Sequence, residues 1–91
     1  MKPGRRLVEE GAAACTDADL LAILIGSGTS GRSAERIAAD ILERHGTLPD
    51  LMGQSLQDLA SVPGMGPVKA IRIAAAYELA HRLIKHLEQN G

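Results

Sequence analysis

The residues best suited to chemistry in this 91-residue chain form the run Val62-Pro63-Gly64-Met65-Gly66-Pro67-Val68-Lys69-Ala70. This run predicts a tight turn between two helices, in which two glycines leave the backbone bare. The backbone N–H groups at the start of a helix have no acceptor within that helix. Because a cluster of such donors attracts an anion, the turn is a candidate site for the phosphate of a nucleic acid.

The spacing hydrophobic-x-Gly-x-Gly-x-x-x-Ala resembles the helix-hairpin-helix motif of sequence-independent DNA-binding proteins. The resemblance implies that the turn amides bind a phosphate oxygen and that a cation just inside the second helix assists them. Such contacts go to the DNA backbone, so we expect weak, salt-sensitive binding without base specificity. The expected phosphate site has four amide donors and two cations: Gly64, Met65, Gly66, Val68, Lys69 and Arg72.

A second glycine-rich loop runs from Gly26 to Gly31. Its glycines permit positive φ and do not continue a helix. Two interpretations stay open for this loop. It is either a plain connector or a second phosphate-binding loop, whose candidate residues are Gly28, Ser30, Gly31 and Arg32.

The elements that must position these loops are predicted to be helices. A short helix over Arg5–Glu10 is expected to end at Gly11 or at the alanine-rich stretch that follows it. Thr16 and Asp19 have the spacing of a capping box, and the helix that they open continues through a run that is apolar on all sides. We expect that helix to be buried from several directions and to end at Gly26.

The remaining helices are predicted from apolar spacing and from caps. One begins at Arg32 or Ser33 and runs to His45, followed by a glycine cap at Gly46. A turn or two over Leu48–Met52 and a short helix opened by a capping box at Ser55–Asp58 lead to the hairpin. Pro67 starts the last helix. Two apolar faces on that helix predict that it packs against several neighbours; they comprise Ala70, Ile73, Tyr77, Ala80, Ile84 and Leu87 on one face and Ile71, Ala75 and Leu79 on the other.

Together these elements predict an all-α fold, a compact domain of five or six helices over residues 1–91. Helix, glycine loop and helix occur twice, as a degenerate hairpin unit at about 17–45 and a clear one at about 55–87. Two such units related by a pseudo-two-fold axis would form a tandem helix-hairpin-helix domain.

Composition limits the classes of function. The chain is 45% hydrophobic but has one Tyr and neither Trp nor Phe, which favours a core of packed aliphatic helices and argues against base stacking on single strands. No apolar run is long enough to span a membrane, and no signal peptide is expected. A single cysteine, Cys15, suits a reducing cytoplasm.

Charge is unevenly distributed although the formal net charge is only −1. Lys2, Arg5 and Arg6 open the chain without an acid, and residues 61–87 hold four cations against the single carboxylate of Glu78. Such a chain either presents one basic face or carries ordinary solvated helix surfaces.

Most of the chain, from about Lys2 to Leu83, resembles the N-terminal domain of the RadC-like (UPF0758) DNA repair proteins. The resemblance rests on four segments in this order: Ala18–Leu24, Gly26–Ala34, Leu42–Gly46 and Val62–Ala70, followed by Glu78-Leu79-Ala80. It implies a DNA-binding accessory domain and the family's link to repair.

Members of that family usually continue into a metalloprotease-like domain with a His-x-His and Asp zinc site, which is implied as a partner in a longer protein. Nothing in this chain matches that site, since His45, His81 and His86 are scattered. We therefore expect no catalytic residues, no metal site and no cofactor.

Two functions of different class remain. The first is a sequence-independent DNA-binding accessory domain, whose mark is convergence of Lys69 and Arg72 with the hairpin amides. The second is a protein-interaction or self-association domain that uses the hairpin only as a structural turn. Its mark is an exposed apolar patch around Tyr77, Ile84 and Leu87.

Overall fold

The computed structural model describes residues 1–90, which form six α-helices and one 3-10 turn. The predicted all-α class is confirmed, and no strand occurs between residues 1 and 90. No helix in this part of the chain is long and apolar enough to cross a bilayer. In chain order the elements are α1 (Pro3–Glu10), the 3-10 turn (Ala12–Ala14), α2 (Asp17–Ile25), α3 (Ala34–His45), α4 (Leu48–Leu51), α5 (Leu56–Ala60) and α6 (Gly66–Asn90).

The helix boundaries in the first half follow from side-chain caps and glycines. The capping box of α2 is confirmed: the Asp19 amide donates to the Thr16 hydroxyl over 3.1 Å, and the Thr16 amide donates to the Asp19 carboxylate over 2.9 Å. Gly26, at φ +83°, ends α2 as predicted. Ser33 caps α3 by accepting a hydrogen bond from the Arg36 amide, so α3 begins one residue later than predicted.

The short helices of the second half are capped less completely. Ser55 accepts a hydrogen bond from the Asp58 amide over 3.0 Å, but the reciprocal bond of the predicted capping box is not formed. At α4 the Thr47 amide donates to the Asp50 carboxylate over 2.8 Å. The last helix begins at Gly66, one residue before the predicted start at Pro67.

A single aliphatic core joins the helices. α2 packs on α3, α5 packs on α6, and α2 also contacts α6, so the two predicted helix–loop–helix units share one interior. The expected burial of α2 is confirmed for Leu21, Ala22 and Ile25. The buried apolar side chains are Leu21, Ala22, Ile25, Ala34, Ile37, Ala38, Ile41, Leu51, Leu59, Val62, Met65, Ala70 and Ile73.

The prediction that both apolar faces of α6 pack against neighbours is wrong. Ala70 and Ile73 are fully buried, but Ile71, Leu79 and Leu87 are 54–67% exposed. The reason is length. With 25 residues α6 extends over about 37 Å, whereas the other helices have 4 to 12 residues and cover only its N-terminal half.

Candidate nucleic-acid interface

The hairpin between α5 and α6 has the backbone geometry that its glycines predict. Gly64 has φ +88° and Gly66 has φ +67°, both in the left-handed region that side chains rarely adopt. Val62 and Met65, which lie on either side of Gly64, are 1% and 3% exposed. Met65 therefore covers the core and does not project from the turn. The two apolar side chains anchor the hairpin, and Gly64 and Gly66 are half-buried.

A side chain does not fit at Gly64, because the hairpin packs closely on α3. A Cβ atom at Gly64 would lie 2.8 Å from Ile37 Cδ1 and 3.2 Å from Arg32 Cδ. Ile37 has no exposed surface and cannot move aside easily. Close packing thus explains this glycine without any ligand, and it places the stem of Arg32 beside the turn.

The four hairpin amides differ in whether they already donate a hydrogen bond within the protein. The Met65 amide already donates to the Val62 carbonyl over 3.0 Å. The amides of Gly64, Gly66 and Val68 have no acceptor among residues 1–90. Three of the four donors expected from the sequence are therefore free to bind an anion, and the fourth closes the turn.

Lys69 is held at the hairpin. Its Nζ donates to the Gly64 carbonyl over 3.1 Å, in a partly buried position. An ammonium group has three donors, so two remain for a ligand. Within the described residues no carboxylate lies within ion-pairing distance of Lys69. The Lys69 ammonium is thus held at the hairpin by the Gly64 carbonyl, without an acidic partner among residues 1–90.

Arg72 makes its hydrogen bond to the end of α2 and not to the hairpin. Its guanidinium donates to the Ile25 carbonyl over 3.2 Å, at the last residue of α2. A Cβ at Gly26 would lie 3.2 Å from the same guanidinium nitrogen. A cation at a helix C-terminus neutralises the partial negative charge of the carbonyls there. Arg72 therefore ties α6 to α2 and positions the hairpin relative to the first glycine loop.

The first glycine loop is a closed turn. Thr29 and Arg32 exchange two backbone hydrogen bonds of 2.9 and 3.0 Å, with Ser30 exposed at the tip and Gly31 at φ +82°. The Arg32 amide is therefore already used within the turn. A side chain at Gly28 would collide with the Arg32 carbonyl and the start of α3. These contacts agree with the connector interpretation of the loop.

The Arg32 side chain is paired with the Asp40 carboxylate, which also forms an ion pair with Arg36 over 3.3 Å. Two cations near the N-terminus also form ion pairs: Arg6 pairs with Asp19 over 2.7 Å, and Arg5 pairs with Glu9. These cations carry neighbouring carboxylates, so they contribute less to a basic face than their number suggests.

Sequence reasoning missed a cleft of about 430 Å³ beside the hairpin, lined by Arg32, Arg36, Asp40, Glu43, Arg44, Val62 and Pro63. Arg44 donates to the Ser61 carbonyl over 3.4 Å, just before the turn. Residue spacing does not indicate this cleft, because Arg36 and Arg44 lie about 80° apart around α3 and Arg32 precedes that helix. The bond to Ser61 makes Arg44 a neighbour of the hairpin and not merely a last-turn cation of α3.

No group of three or more His, Cys, Asp or Glu side chains in residues 1–90 is arranged to hold a metal ion. Cys15 is a free, half-buried thiol whose Sγ lies 3.9 Å from the Gly11 carbonyl.

Comparison with known proteins identifies the family. A family model described as UPF0758 N-terminal matches residues 1–71. A UPF0758 protein of Xanthomonas oryzae pv. oryzae strain PXO99A is 46% identical over 90 residues, covering 99% of this chain and 40% of that protein. One from Xanthomonas campestris pv. campestris strain 8004 is 46% identical over 97% of this chain and 40% of its own length.

A third UPF0758 protein, from Stenotrophomonas maltophilia strain K279a, is 42% identical over 99% of this chain and 38% of its own length. No solved structure matches the chain. The chain thus spans about 40% of the length of the curated relatives it matches. It belongs to the UPF0758 family of RadC-like proteins, with residues 1–71 matching the N-terminal part of that family.

Proposed function

We propose that this chain is a non-catalytic, sequence-independent DNA-binding domain that contacts backbone phosphate through the hairpin amides and Lys69. The supporting observation is that the Lys69 ammonium lies 3.1 Å from the Gly64 carbonyl, in the same hairpin whose Gly64, Gly66 and Val68 amides have no acceptor among residues 1–90. A phosphate oxygen bound at these amides would accept hydrogen bonds from them and would be attracted by the Lys69 charge.

In this proposal Lys69 is the binding cation and Arg72 is a positioning residue, since its guanidinium caps α2. With few phosphate contacts the affinity of the isolated domain for duplex DNA is weak, on the order of 10⁻⁴–10⁻⁶ M at physiological salt. In the longer relatives the domain would hold the rest of the protein, which the RadC-like resemblance implies is metalloprotease-like, close to cytoplasmic DNA.

The test is fluorescence anisotropy of labelled duplex DNA titrated with the chain, at low and at physiological salt. Replacing Lys69 by glutamate is expected to weaken binding at least about tenfold, and replacing it by methionine to lower the slope of log affinity against log salt by about one. Far-UV circular dichroism and thermal melting of each variant show whether the fold is retained.

The matched control is Lys85→Glu, an equal charge reversal in α6. Lys85 lies 16 residues beyond Lys69, about 24 Å along the helix, is exposed and, like Lys69, has no carboxylate within ion-pairing distance among residues 1–90. Binding unchanged in Lys85→Glu and lost in Lys69→Glu supports the hairpin site. Equal losses in the two variants, or no binding of the wild-type chain at low salt, would reject it.

A further inference from the structure

The cleft of about 430 Å³ beside the hairpin brings together three separate segments of the chain. Its walls are the hairpin residues Val62 and Pro63, Arg32 at the end of the first glycine loop, and four side chains of α3. We call it the arginine cleft. One wall of the cleft reaches the hairpin glycines, because a Cβ atom at Gly64 would lie 3.2 Å from Arg32 Cδ. An anion in the cleft would therefore be a neighbour of an anion bound at the hairpin.

The arginine cleft has more positive than negative charge. It is lined by Arg32, Arg36 and Arg44 and by the two carboxylates of Asp40 and Glu43, which leaves one positive charge in excess. Asp40 forms ion pairs with both Arg32 and Arg36. Arg44 has no carboxylate within ion-pairing distance among residues 1–90. The cation of the cleft that is not neutralised is therefore Arg44.

Arg44 is held at the hairpin and keeps most of its donors for a ligand. Its Nη1 donates to the Ser61 carbonyl over 3.4 Å, one residue before Val62. A guanidinium has five N–H donors in a planar fork that matches two oxygens of a phosphate. Because the bond to Ser61 uses only Nη1, the Nε and Nη2 donors remain for such a bidentate contact.

We propose that the arginine cleft binds a second phosphate of the same DNA backbone, with Arg44 as the contacting cation. This inference rests on the proposed function, since the hairpin supplies the first phosphate contact. Each strand of a duplex carries one phosphate for about every 3.4 Å of helix axis, so a strand bound at the hairpin has further phosphates close by. Asp40 limits the affinity of the second contact, because it neutralises Arg32 and Arg36.

The experiment measures the affinity of the chain for labelled duplex DNA by fluorescence anisotropy over a series of salt concentrations. Arg44→Met removes one phosphate contact and is expected to lower the slope of log affinity against log salt by about one. At low salt it is expected to weaken binding about two- to fivefold. A variant that only disturbed the turn would weaken binding without changing this slope, so the slope distinguishes a phosphate contact from a structural effect of the Ser61 bond.

Lys85→Met is the matched control for loss of one positive charge. Lys85 is exposed, as Arg44 is, and also has no carboxylate within ion-pairing distance among residues 1–90. We expect this variant to leave the slope unchanged. Lys69→Met, measured beside it, reports on the hairpin site itself. Because Arg44 and Lys85 are exposed, helicity and melting temperature are expected to stay close to the wild type in both variants.

Asp40→Asn tests the cleft by a gain of affinity. Without the carboxylate, Arg32 and Arg36 are no longer neutralised, so binding is expected to become about two- to fivefold tighter at low salt. The matched control is Glu78→Gln. Glu78 also lies within ion-pairing distance of two basic side chains, Arg82 and His81, but it is not part of the cleft. We expect the control to leave the affinity unchanged.

The outcomes separate the second contact from the hairpin site. A slope that falls in Lys69→Met but not in Arg44→Met would overturn the cleft and leave the proposed function standing. Equal changes in Arg44→Met and Lys85→Met, or equal gains in Asp40→Asn and Glu78→Gln, would also overturn the cleft, since they would report net charge alone. No binding of the wild-type chain at low salt would overturn both proposals.

Discussion

Replacing Gly64 by alanine is expected to lower the free energy of unfolding by about 2–5 kcal/mol. Two costs contribute. A left-handed backbone at φ +88° costs an L-residue roughly 1–2 kcal/mol. The new Cβ would lie 2.8 Å from Ile37 Cδ1 in a fully buried position, and overpacking of a core typically costs roughly 1–3 kcal/mol.

The variant Gly31→Ala separates the cost of the left-handed backbone from the cost of the collision with Ile37. Gly31 has φ +82°, but a Cβ at Gly31 meets no atom within 4 Å, so only the backbone cost remains there. Urea denaturation followed by circular dichroism gives both free energies from midpoint and slope. We expect Gly31→Ala to cost roughly 1–2 kcal/mol, and the excess for Gly64→Ala to measure the collision with α3.

A double-mutant cycle then identifies the colliding atom. Ile37→Val removes Cδ1 and alone is expected to cost about 0.5–1.5 kcal/mol. In the Gly64→Ala background the same change relieves the contact, so it should be neutral or stabilising, with a coupling of about 1 kcal/mol or more. If Gly64→Ala costs no more than Gly31→Ala and the coupling is zero, the packing argument for Gly64 is refuted.

Three further changes test contacts between elements. Arg72→Leu removes the hydrogen bond to the Ile25 carbonyl and is expected to lower the free energy of unfolding by about 1–2 kcal/mol in urea denaturation. Tyr77→Phe leaves the Leu48 carbonyl without the 2.7 Å bond from the phenol and is expected to cost roughly 1–2 kcal/mol by the same measurement. The cap amide of α2 and a guanidinium of α1 hold the pKa of Asp19 below its ordinary value, so its contribution to stability is present above the unfolded pKa and is lost as pH falls through the folded one. Asp19→Asn should therefore lower stability at neutral pH and flatten its decline in acid, and an unchanged acid branch would contradict this cause.

Local signals in the sequence were sufficient for most helix boundaries. Thr16 and Ser33 bond to amides three residues away, and Gly26 and Gly46 end helices by their own backbone conformation. These helix caps act within one turn of the chain, so the spacing of their residues in the sequence predicts them. The positive φ of Gly64 was predictable for the same reason.

Contacts between distant segments were not predictable in this way. The bond from Arg72 to Ile25 spans 47 residues, and the sequence cannot tell such a tie from a free surface cation. The exposure of Leu79 and Leu87 depends on how far the short helices reach along α6, which periodicity does not encode. The backbone conformation of the hairpin was therefore predictable, whereas the partners of the nearby cations were not.

The position of Tyr77 gives the domain a built-in optical reporter. It is the only tyrosine in a chain without tryptophan or phenylalanine, so every near-ultraviolet signal above the peptide absorption originates at one point. That point is the rim of an apolar groove of about 530 Å³ between α2, α4 and α6, with the phenol bonded to the Leu48 carbonyl, eight residues and about 12 Å along α6 from Lys69. Intrinsic emission and near-ultraviolet dichroism should therefore respond to unfolding and to filling of the groove, and should stay silent when an anion binds at the hairpin. One unlabelled residue thus distinguishes events at the middle of the longest helix from events at its N-terminus.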